Sequence, residues 1–217
     1  MASTHADATT PSTVNALSYL ALGDSYTIGE AIAARDGWPA QLVERLRQVG
    51  IAMDDPDVIA QTGWSTDELD AAIKARSPGP HAFVSLLVGV NDQYRGGAAD
   101  VYRQRFTALL DRAIALANGR ADRVIVLAIP DWGVTPFGDA SGRDAATIAA
   151  ELDAFNAAAR SVCDARGVTF IDIAPDYRQH AREPAMLADD GLHPSAAMHA
   201  RWADAAFPVA RRLLAHG

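Results

Sequence analysis

Residues 17–27 read Leu-Ser-Tyr-Leu-Ala-Leu-Gly-Asp-Ser-Tyr-Thr. An apolar run that stops at Gly23-Asp24-Ser25 reads as a short buried strand, Leu17–Leu22, with a polar turn at its carboxyl end. Four further runs of this kind follow at Val58–Ala60, Phe83–Val90, Val124–Ile129 and Val168–Ile173. Between the strands, Tyr102, Phe106, Leu109, Ala113 and Leu116 recur at helical spacing ahead of Asn118-Gly119. Ile148, Leu152, Phe155, Ala159 and Val162 do the same ahead of Gly167, which sits where a helix C-cap belongs. A last helix is expected over roughly Ser195–His216, with Met198, Trp202, Ala206 and Val209 on one side and Pro208 kinking or breaking it. Short buried strands alternating with helices specify an α/β fold, a three-layer αβα sandwich on a five-stranded parallel sheet. Right-handed crossovers favour the flavodoxin-like strand order 2-1-3-4-5.

The chain has 217 residues, enough for one domain with a sizeable core, expected over 17–217, behind a disordered amino-terminal tail at 1–16. Hydrophobic residues make up 49% and charged residues 21%, the balance of a globular protein. The net charge of −8 repels phosphate backbones and anionic lipid, so nucleic acid is not an expected partner. No apolar run approaches the roughly 20 residues needed to span a bilayer, so integral membrane association is not expected. The amino terminus lacks a basic start followed by an apolar core, so the expected compartment is the cytoplasm, or the periplasm or exterior if a leader has been removed. A single cysteine, Cys163, leaves no disulfide framework and no cysteine-built zinc site, and it reads as inert core filling.

In open α/β sheets, ligands bind beyond the carboxyl ends of the strands. The first strand delivers Gly23-Asp24-Ser25-Tyr26-Thr27 to that edge, the second Gln61-Thr62-Gly63-Trp64-Ser65, the third Gly89-Val90-Asn91-Asp92. Far downstream comes Asp190-Gly191-Leu192-His193-Pro194. These pieces carry the chemistry of acyl transfer. A serine hydroxyl is a poor nucleophile until a base takes its proton; His193 is the candidate base, and Asp190, three residues earlier, can hold its imidazole in one tautomer. Backbone N–H groups of Ser25 and Gly63 and the Asn91 side-chain amide are candidate donors to an oxyanion.

The set GDSYT, a glycine after strand two, GVND and DGLHP resembles the SGNH (GDSL-type) hydrolase superfamily, whose members include esterases and lysophospholipases. The resemblance runs from about Leu17 to the last helix. It implies a nucleophile at Ser25, oxyanion-hole donors at Ser25, Gly63 and Asn91, and an acid–base pair at Asp190 and His193. One departure is Tyr26, where the family usually has leucine. The G-x-S-x-G elbow of ordinary α/β-hydrolases is absent, because position 27 is Thr.

The resulting expectation is a serine esterase acting on a small-molecule ester of short to medium acyl chain, with no metal and no organic cofactor. Its rivals are a carbohydrate O-deacetylase, a thioesterase or an acyltransferase on the same fold, and a non-catalytic binding protein. Tyr26, Tyr94, Trp132 and Phe137 are candidate substrate-pocket residues, against the plainer reading that Trp132 and Phe137 only pack their loop onto the sheet. Asp24 is expected to brace the Ser25 loop through backbone N–H groups. Asp189 is set aside in favour of Asp190 on the family's spacing. His5, His81, His180, His199 and His216 read as surface residues, and Asp54, Asp55 and Asp57 as a solvated loop.

Overall fold

A computed structural model describes residues 16–215. Its five strands are β1 (Tyr19–Gly23), β2 (Asp57–Ala60), β3 (Phe83–Leu87), β4 (Val124–Leu127) and β5 (Thr169–Ile171). All pairings are parallel, in the order β2-β1-β3-β4-β5. β1, β3 and β4 are buried along their whole length, which is why they read as unbroken apolar runs rather than alternating ones.

The helices are α1 (Ser25–Ile28), α2 (Trp38–Gln48), α3 (Thr66–Arg76), α4 (Val90–Tyr94), α5 (Ala99–Leu116), α6 (Pro136–Ala140), α7 (Ala145–Arg166), α8 (Ala174–His180) and α9 (Ala196–Leu214). α2 packs on α9, while α5 packs on both α7 and α3, which gives the two outer layers. The helical stripes lie where their spacing put them: Tyr102, Phe106, Leu109 and Ala113 are buried on α5, and Ile148, Leu152, Phe155, Ala159 and Val162 on α7. Gly167 closes α7 in the left-handed conformation at φ +68°. Cys163 is fully buried, and desolvation first, then the Asp164 charge, pushes its thiol up to about 12.

Three expectations are corrected. Pro208 does not break the last helix; α9 runs through it to Leu214. Pro208 and Asp204, the residue four before it, are both exposed, so solvent can reach the carbonyl the missing N–H leaves unbonded. Val209 is only half-buried, because the inward stripe passes through Ala206 and Ala210 instead. His199 is not on the surface but fully buried on that stripe beside Trp202, with ring centroids 5.0 Å apart. Its Nδ1 accepts the Trp38 N–H at 3.1 Å, which satisfies one of the orphan donors in the first turn of α2.

His81 and His180 are likewise partly covered, each with Nδ1 2.9 Å from a backbone carbonyl, Gly79 and Asp176 respectively. His5 and His216 lie outside the described residues, as does the expected tail apart from Ala16. Asp54 and Asp55 are exposed, Asp55 paired with Arg47, in keeping with a solvated loop, whereas Asp57 is not on that loop but opens β2, half-buried and paired with Arg76.

Candidate active site

The strand order brings the carboxyl ends of β1, β2 and β3 side by side, and each ends in a tight connection. Asp24 caps α1, its Oδ1 accepting the Tyr26 N–H at 3.0 Å, and Ser25 is the first helical residue. Position 23 must be glycine for space: a Cβ there would lie 2.1 Å from Thr27 Oγ1 and 2.5 Å from the Leu87 carbonyl oxygen. The brace expected of Asp24 is therefore present, and the group is wholly buried. Its Oδ2 has no hydrogen-bond partner. Desolvation, partly offset by the Tyr26 N–H and reinforced by the charge of Asp92, pushes its carboxyl up to about 7.

The segment Asp190–Pro194 folds back before α9. Asp190 Oδ1 accepts the backbone N–H groups of Leu192 and His193, each at 2.9 Å, and Oδ2 lies 2.6 Å from His193 Nδ1. Burial works to raise the Asp190 carboxyl; the bonds from His193 and the two backbone groups outweigh it and hold the group below its ordinary value. A carboxylate only accepts, so Nδ1 carries the proton and the lone pair falls on Nε2. The segment is tied down by the Ala188 N–H to His193 carbonyl bond at 2.8 Å and the Phe137 N–H to Gly191 carbonyl bond at 3.1 Å. Asp189 is exposed.

Gly63 adopts φ +84°, the left-handed region that glycine enters without strain. Asn91 is the second residue of α4 rather than its cap, and its Nδ2 donates to the Trp64 carbonyl at 2.9 Å. That bond uses one of the two amide hydrogens. The adjacent Asp92 is buried, and its Oδ2 accepts both the N–H (2.8 Å) and the hydroxyl (2.9 Å) of Thr66.

Ser25, Gly63, Asn91 and His193 line one open cleft of about 180 Å³, with Thr62, Val90 and Leu192 between them. Its far wall is aromatic. The Trp132 ring lies 5.3 Å from that of Tyr94 and 6.0 Å from that of Phe137. Trp132 is 1% exposed, with Nε1 donating to Gln93 Oε1 at 2.8 Å, whereas Tyr94 and Phe137 are 49% and 36% exposed. Trp132 thus both packs its loop and backs the cleft. Tyr26 borders the cleft at 2% exposure, packed edge-on against His193 and Trp202.

A wider groove of about 420 Å³ beside α7 carries Arg160 and Arg178, but both are engaged by carboxylates, Asp172 for the first and Asp131 and Asp153 for the second. Among the described residues, no cluster of His, Cys, Asp or Glu is arranged to hold a metal ion, and no helix is long and apolar enough to cross a membrane.

Sequence reasoning passed over Gln93, Arg95 and Glu68. Ser65-x-x-Glu68 is a legible capping box, present in the structure with the Ser65 N–H donating to Glu68 Oε2 at 2.7 Å. Asn91 and Arg95, four apart, carry the helical spacing that could have linked them.

The model of the GDSL-like Lipase/Acylhydrolase family matches residues 21–201. No curated protein matches the sequence. Among solved structures, the chain is similar to TesA, with 21% identity and a TM-score of 0.68 over 90% of this chain and 99% of that one. It also resembles an α/β hydrolase enzyme from the metagenome of Lake Arreo, Spain (21%, TM-score 0.65, 91% and 96%). A third likeness is to an acetyl xylan esterase from Geobacillus stearothermophilus (21%, TM-score 0.65, 89% and 94%). At these identities the likeness is one of fold.

Proposed function

The chain belongs to the GDSL-like lipase/acylhydrolase family, and we propose that it is a serine esterase for carboxylic esters of short to medium acyl chain, working through Ser25, His193 and Asp190. The observation that carries this reading is one cleft lined by a serine at a helix start, two candidate oxyanion donors and a histidine held by a carboxylate at 2.6 Å.

In the first step, Ser25 Oγ attacks the ester carbonyl while His193 Nε2 takes its proton; Asp190 stabilises the imidazolium that forms. The oxyanion of the tetrahedral intermediate accepts from the Ser25 and Gly63 N–H groups and from the remaining Nδ2 hydrogen of Asn91. Collapse returns the proton from His193 to the leaving alcohol and leaves an acyl-serine. Water, deprotonated by the same histidine, then attacks that acyl group, releasing the acid and the Ser25 hydroxyl. The aromatic wall of Tyr94, Trp132 and Phe137 takes the apolar part of the substrate. The cleft, at about 180 Å³, falls below the roughly 300–1,000 Å³ of sites that enclose drug-sized ligands, which favours short chains.

The test is hydrolysis of p-nitrophenyl acetate, butyrate and octanoate by the wild type and by Ser25→Ala. Turnover is expected to vanish in the variant and, in the wild type, to be slowest on octanoate. Equal rates in both proteins would remove Ser25 from the mechanism, and fastest turnover of octanoate would overturn the chain-length assignment.

A further inference from the structure

The loop after β2 leaves the core at Gly63 and returns to it at Trp64, which packs partly buried against the core. Nothing lies within 4 Å of where a Cβ on Gly63 would stand. At that point Asn91 of α4 and Arg95, the residue capping its carboxyl end, grip two successive carbonyls: Asn91 Nδ2 donates to Trp64 O at 2.9 Å and Arg95 Nη2 to Gly63 O at 2.6 Å. Being four residues apart, Asn91 and Arg95 share a helix face. Arg95 Nη1 also donates to Glu68 Oε2 at 2.8 Å, and that oxygen accepts the N–H (2.7 Å) and hydroxyl (2.8 Å) of Ser65. The Ser65 bonds first, then Arg95, hold the Glu68 carboxyl down at about 2, so it stays ionised. With Thr66 bonded to Asp92, every residue from Gly63 to Thr66 is tied to the segment 91–95, directly or through Glu68.

We propose that Arg95 is a positioning residue of the esterase: by holding the Gly63 carbonyl, while Asn91 holds that of Trp64, its planar guanidinium anchors the main chain on the carboxyl side of Gly63, and so the place from which the Gly63 N–H, in the preceding Thr62–Gly63 peptide, faces the same oxyanion as the Asn91 amide. This rests on the reading of Gly63 and Asn91 as oxyanion donors. Arg95 itself does not touch the reacting atoms. A guanidinium bridges a carbonyl and a carboxylate in one plane, and a lysine ammonium offers only a point charge in its place. The side chain is half-exposed, and ion pairs this exposed contribute little to stability, so its loss falls on geometry.

The experiment compares wild type, Arg95→Ala and Arg95→Lys on a short-chain ester, with Ser25→Ala as the blank. Deleting an oxyanion donor outright lowers kcat by about 10²–10³; misaiming one is expected to lower it about tenfold in Arg95→Ala. KM and the thermal midpoint stay at wild-type values, free guanidinium ion at low concentration restores part of the rate to the alanine variant alone, and lysine restores less than arginine. Amide exchange over 62–66 quickens in Arg95→Ala and nowhere else.

A wild-type kcat in Arg95→Ala overturns the proposal while leaving the esterase intact. A loss accompanied by a lowered thermal midpoint and no guanidinium rescue also overturns it, since that is a structural role. A wild type with no turnover above the Ser25→Ala blank fails the esterase reading itself, and the proposal with it.

Discussion

Replacing Asp24 by Asn is expected to change how stability depends on pH. Asp24 is fully buried next to Ser25, with one oxygen on the Tyr26 N–H and the other unpartnered. Its carboxyl moves from 3.8 in the unfolded chain to about 7 in the fold. Between those values the folded state holds a proton that the unfolded state has released, so stability falls as pH rises through this window. His199 has the opposite sign: burial, with the His193 charge second, pushes it from 6.5 down to about 3. From about pH 4 to 6.5 the two slopes oppose each other, each about 1.4 kcal/mol per pH unit, and the wild type is nearly flat with respect to this pair.

Asp24→Asn keeps an Oδ1 for the Tyr26 N–H and removes one slope. Its stability should climb with pH up to about 6.5, and by about pH 8 it should exceed the wild type by up to ~4 kcal/mol relative to their difference at about pH 4. Urea unfolding of both proteins across that range reads the difference from the midpoints and m-values. Parallel curves would show that the carboxyl does not bury its charge, and the reasoning would fail.

His199→Leu should leave the Asp24 slope unopposed, so that stability falls as pH rises from about 4 to 6.5, while costing about 1–3 kcal/mol against wild type at about pH 8, because the Trp38 N–H loses its acceptor; unfolding curves across that range check both. Asn91→Ala should lower kcat by roughly 10²–10³ on a folded sample, and an unchanged steady-state kcat would take its amide out of the oxyanion site.

How much was legible in the chain depended on whether the signal was local. The apolar run ending at Gly23 and the stripe Ile148, Leu152, Phe155, Ala159 and Val162 marked strand and helix because burial repeats with the period of the element itself. The five parallel strands and their order followed from those elements plus the handedness of crossovers, and the candidate residues followed from where the strands stop. The Asp190–His193 pair lies within one turn of chain, which marked the segment, but the choice of Asp190 over its neighbour Asp189 rested on the family's spacing.

What only the tertiary structure decided involved partners distant in sequence. His199 is buried because Trp38, 161 residues away, supplies an N–H to bond it, and a single histidine on a helix gives no sign of that. Arg95 reaches Gly63 across 32 residues, and Trp132 reaches Gln93 across 39. Pro208 remains helical because that face of α9 meets solvent rather than the core. Local patterning records which face of an element is apolar, whereas the orientation of a polar group depends on which donor or acceptor the fold brings opposite it.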